Sequence, residues 1–176
     1  MPRSLHRLEI PLNATANALR VELAFRIRTG APSEWNEFSN LWMAFNAIYG
    51  GEPDEKERSR VMMCIRRNFT DRAALRVLRA VTRSIDLILE VPPANLLLNR
   101  DNPKFRAASQ RYTAMYRNRT ESSVGRLAAV GGVLYQIRCN LIHGSKDPHN
   151  ERDRMLVRES VSVLRVLVPA LEEALP

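Results

Sequence analysis

From Ser122 to Ile142 the apolar residues Val124, Leu127, Gly131, Leu134 and Leu141 recur at intervals of three, four and seven, the rhythm of one helix face. Nowhere in the 176 residues do apolar and polar side chains alternate long enough between turn signals to argue for a sheet. A chain with the first pattern and without the second must bury helix against helix. Glycine is scarce at 7, and Leu, Ala and Arg are abundant, which also favours helix. The expected class is all-α, a compact bundle of about six to seven helices. The length suits one domain, residues 1–176, with a core large enough to need no staples.

Along the chain, residues 1–13 read as a loose lead-in and a first helix is expected from about Ala14 to Arg28. Gly30 ends it, and Ser33 is placed to cap the next. In "SEWNEFSNLWMAFNAIYGG" the aromatics Trp35, Phe38, Trp42, Phe45 and Tyr49 fall at helical spacing and predict a packing face. Asn46 lies in the same turn and is expected to be partly buried, either orienting a site residue or serving as a satisfied structural amide. After the acidic turn "GGEPDEKE" a helical region runs from about Glu55 to Glu90, broken near "NFTD", where Thr70 or Asp71 caps a new helix. "VPPANLLLNRDNP" is a connection. Lys104 to Arg119 interleaves basic residues with Tyr112 and Tyr116, a pattern that suits single-stranded nucleic acid and equally suits packing. The closing helix, about Asn150 to Leu175, carries Val157, Val161, Leu164, Val168, Leu171 and Leu175 in heptad fashion, with a kink expected at Pro169. His149 reads as an exposed turn residue.

Charge is unevenly spread. The chain has 27 Lys/Arg and 19 Asp/Glu, a net +8; residues 58–119 hold 14 of the former and 4 of the latter. That basic middle favours a polyanionic partner, nucleic acid first, although an Arg-rich solvated surface has the same composition. Arg72, Arg76, Arg79 and Arg83 recur at i, i+4, i+7 and i+11 and form one stripe, either a phosphate track or a solvated face. Cys64 and Cys139 match no redox or zinc spacing, and with His6, His143 and His149 scattered no metal cage or cofactor is expected. The opening residues lack the apolar core of a signal peptide, and no run approaches the length that spans a bilayer. The expectation is a reduced, cytoplasmic protein without a membrane partner.

The sharpest local feature is "YQIRCNLIHGSKDPHN". On a helix Arg138 lies within about 60° of Leu127, Gly131, Leu134, Leu141 and Ile142, so a guanidinium stands on the buried side. Such a charge needs an anion, a polar cavity or a carboxylate from elsewhere in the chain. His143 is about 140° further round, but Gly144 ends the helix there and lets the histidine turn back. Imidazole moves protons near neutral pH, and a guanidinium grips phosphate. Asn140 lies between them as a supporting amide.

"RCNLIHG" resembles the R-x4-6-H motif of the HEPN superfamily (higher eukaryote and prokaryote nucleotide-binding proteins), and "LWMAFNAIYG" and the closing helix are similar to its Apea-like bacterial members. The likeness is densest over residues 34–50 and 124–170. It implies a helical bundle that dimerises and, in many members, a metal-independent endoribonuclease of the toxin or defence type. Arg138 and His143 would then be the catalytic pair, with RNA as substrate and a cognate antitoxin as a possible partner. The position after the arginine, often polar in the family, is Cys139 here, with Asn140 next. The alternative expectation is a non-catalytic module of the same build that binds nucleic acid, a nucleotide or a protein.

Overall fold

The computed structural model describes residues 33–50 and 56–175. The lead-in, the helix expected over 14–28 and part of the acidic turn lie outside the described residues. Six helices and no strand are found among those residues: α1 (Ser33–Tyr49), α2 (Glu57–Asn68), α3 (Asp71–Glu90), α4 (Lys104–Arg117), α5 (Ser123–Ile142) and α6 (Glu151–Glu172). No helix among them is long and apolar enough to cross a membrane.

The helix starts follow the capping residues. Thr70 accepts from the Ala73 amide at 3.3 Å, Ser122 from Gly125 at 2.9 Å and Asn150 from Asp153 at 3.1 Å. Each satisfies a first-turn donor that the helix itself leaves unpaired. Ser33 is instead the first residue of α1. α6 ends three residues short of Leu175, which is 40% exposed and stands outside the heptad face it was expected to extend. The remaining heptad positions are buried, and Pro169 is accommodated inside the helix.

α5 is the axle of the bundle. Its stripe from Leu127 to Leu141 is buried against α2, α4 and α3, while α6 packs on α3 and α1. Two facing pairs set α2 antiparallel to α5: Glu57 meets Arg138, and Ile65 meets Gly131. α4 also runs antiparallel, with Tyr116 beside Arg126 and Tyr112 beside Gly132. The adjacent glycines serve two helices at once. A methyl at Gly131 would stand 2.6 Å from the Ile65 side chain, and one at Gly132 only 2.9 to 3.1 Å from three Tyr112 ring atoms.

The α1 aromatics are all buried, with ring pairs Phe38–Trp42, Trp42–Phe45 and Phe45–Tyr49 at 6.0, 5.5 and 5.1 Å. Asn46 corrects the expectation of partial burial. It points off that face and is exposed, because only the aromatic side of α1 meets α6. Tyr112 and Tyr116 are core residues, 4% and 6% exposed, which removes them as platforms for stacked bases along the outside of α4.

Gly132→Val should therefore drive a side chain into the Tyr112 ring. We expect a loss of about 1–3 kcal/mol, the scale of overpacking a filled core, measured by denaturant titration, with the helical circular dichroism retained.

Candidate functional site

The end of α5 is built by a glycine cap. Gly144 takes a φ of +66°, the left-handed conformation that glycine adopts without strain. Its amide donates to Leu141 O at 3.1 Å, and the Ser145 amide donates to Asn140 O at 2.9 Å, a Schellman closure. His143 occupies the cap position, its amide donating to Cys139 O at 3.1 Å and its side chain exposed. The chain beyond is clamped by an ion pair between buried Lys146 and Asp153 at the start of α6. His149 is exposed, as expected of a turn residue.

Arg138 stands where the helical wheel puts it, and a carboxylate meets it. Its Nη1 donates to Glu57 Oε2 at 3.1 Å, both side chains being about one-fifth exposed. The other Glu57 oxygen accepts from the Tyr49 hydroxyl at 2.7 Å. Arg138 Nε is buried and has no acceptor among the described residues. A phenol, a carboxylate and a guanidinium from three helices thus form one chain of hydrogen bonds. Burial, then the Glu57 hydrogen bond, holds the Tyr49 phenol well above its ordinary titration range. Tyr135, on the same side of α5, is raised by burial and then by its contact with the Cys139 thiol. Both phenols are therefore hydrogen-bond donors at neutral pH.

No hydrogen bond joins Arg138 to His143 in the protomer. Asn140 is fully buried and turned elsewhere, donating to Ala94 O at 2.7 Å and accepting from the Leu96 amide and Gln136 at 3.2 Å each. It moors the connection between α3 and α4 to α5. Asn46 makes no bond to either motif residue. Arg72, Arg76, Arg79 and Arg83 share one exposed face of α3, with no carboxylate paired to them among the described residues. Asp86 and Glu90 nevertheless stand beside Arg79 and Arg83 around a shallow hollow.

Glu57 and Tyr49 are the site residues that the sequence conceals. They lie 81 and 89 positions from Arg138, so no local spacing announces them. The available signal is indirect: a guanidinium on a buried face demands a carboxylate without naming it. Comparison with family models, curated proteins and solved structures finds no match for this chain.

Two measurements probe the cluster. Glu57→Ala, which strips the partner from Arg138 and Tyr49 together, should cost about 1–3 kcal/mol in a denaturant melt, and Tyr49→Phe about 1 kcal/mol. The phenols titrate higher in the folded chain than their unfolded value of about 10. Their contribution to stability is thus complete below about pH 10 and declines as pH rises beyond it towards the folded values. Ultraviolet titration should find the Tyr49 and Tyr135 phenols ionising late, together with alkaline unfolding.

Proposed function

We propose that the chain is a metal-independent endoribonuclease of the HEPN type, active as a homodimer in which two copies of the Arg138–His143 motif face each other. The observation that carries this reading is an exposed histidine fixed at the cap of the same helix whose buried side presents a partly exposed arginine. Internal cleavage of RNA needs a base for the 2′-hydroxyl, an acid for the departing 5′-oxygen and positive charge beside the phosphorus. In one protomer His143 takes the 2′-hydroxyl proton as that oxygen attacks the adjacent phosphorus. The partner's His143 protonates the 5′-oxygen as its bond to phosphorus breaks, leaving a 2′,3′-cyclic phosphate. Arg138 neutralises the crowded phosphate through the guanidinium edge that Glu57 does not occupy. A two-fold axis supplies the second histidine that one chain lacks. The basic surface, the α3 stripe included, supports a polyanionic substrate.

A second reading, a non-catalytic nucleic-acid-binding module, draws on the Glu57 ion pair, which already engages Arg138 in the protomer.

Purified protein incubated with RNA in EDTA separates the two. The first reading expects cleavage that survives EDTA, yields cyclic phosphate or its hydrolysis product, and spares a strand with a 2′-deoxy at the cut position. His143→Ala should leave the melting temperature near that of the wild type and lower cleavage roughly 10²-fold or more. Arg138→Ala should abolish it. His143→Ala cutting as fast as the wild type, or EDTA stopping the reaction, overturns this mechanism, and binding of RNA without any cleavage leaves the binding module. Light scattering should give a dimer at micromolar concentration; a monomer that cuts RNA would remove the two-histidine mechanism.

A further inference from the structure

α2 and α4 both lie against α5 but hardly touch each other, and the gap between them is an open groove of about 740 Å³ floored by Tyr135. Its walls carry Lys56, Arg58, Arg66 and Arg111, with Tyr112 and Met115 between them. A second hollow of about 390 Å³ shares Arg58 and Arg111 and continues past Lys104 towards Asn95. Among the described residues the carboxylate in these walls is Glu57, and both of its oxygens are taken by Arg138 and Tyr49.

The cations are layered on rings. The Arg58 guanidinium stands 5.0 Å from the Tyr135 ring centre and 5.9 Å from that of Tyr112, and Arg111 stands 4.9 Å from Tyr112. Two guanidiniums within 6 Å of one ring repel each other, and an anion between them would offset that repulsion. Arg58 donates to Gln136 at 2.7 Å, yet its Nε is buried with no acceptor among the described residues. Planar guanidinium surfaces with phosphate-binding edges take a nucleobase on the face and a phosphate on the rim. An acidic peptide would use the charges and leave the planes idle.

We propose that this groove binds a single-stranded RNA segment, with Arg66, Arg111 and Lys104 on its phosphates and the Arg58 layer against a base. Glu57 joins the groove to Arg138, so the strand leads to the motif on α5. That the strand is RNA rather than DNA rests on the ribonuclease reading; the groove itself does not.

The experiment uses a fluorescent, fully 2′-O-methylated oligoribonucleotide, which binds without being cut, and follows its anisotropy at several salt concentrations. Arg66→Glu/Arg111→Glu alters two exposed side chains, and its helical circular dichroism should match the wild type. We expect affinity to fall at least about 10-fold and the salt slope to flatten by roughly 1.4, for two lost phosphate contacts on a single strand. Arg72→Glu/Arg76→Glu, equal in charge change but on the α3 stripe, should lose less than about a third as much affinity. A groove variant that binds as the wild type does, a stripe variant that loses more, or a wild type that does not bind the oligomer overturns the proposal. Binding that follows the groove in a protein leaving unmodified RNA uncut supports the groove and removes the ribonuclease reading instead.

Discussion

α5 has neighbours on nearly every side, so the polar side chains it buries need partners, most of them from other elements. That single requirement organises the molecule. Arg138 is answered by Glu57 and Gln136 by Arg58, which fixes the start of α2 on α5. Asn140 is answered by Ala94 and Leu96, which fixes the irregular connection between α3 and α4. Gly131 and Gly132 complete the arrangement by letting α2 and α4 approach closely enough for those bonds to form. Packing and polar satisfaction here are two aspects of one geometry.

The same arrangement places charge. Because α2 and α4 flank α5 without closing over it, Arg58 and Arg66 of the one and Lys104 and Arg111 of the other look into the hollows between them. Part of the positive middle of the chain therefore lines these hollows, and another part lies on the separate face of α3. The α5 axle sets their separation, since α2 and α4 both pack along it, with close approaches at Gly131 and Gly132.

Much of the fold was legible in the sequence, and the reasons differ by element. The apolar rhythm of α5, the aromatic face of α1 and the caps at Thr70 and Asn150 are local properties, and local pattern reports them directly. Asn46 departs from the expectation because adjacency to Trp42 and Phe45 in one turn does not fix which side of the helix meets a partner. Tyr112 and Tyr116 were ambiguous for the same reason, and burial resolves them as core. For the candidate site, Arg138, its buried side and the cap at His143 could be read from spacing. The Glu57–Tyr49 chain could not, since it depends on which helices the bundle brings together. The groove was equally hidden: Arg58 and Arg111 are 53 residues apart and share a wall only through α5.

The cap at the end of α5 has an entropic consequence. His143 is spanned by the hydrogen bonds of the Gly144 closure, and the chain that follows it is held by the Lys146–Asp153 clamp. Its backbone has no loop freedom to lose when something binds; what remains is rotation about two side-chain bonds. Ordering one such side chain costs on the order of 1 kcal/mol, whereas ordering a slack loop of several residues costs that much per residue. The imidazole is thus presented at a nearly fixed position with an adjustable direction, and its local concentration at the helix end is set by the fold rather than by a search.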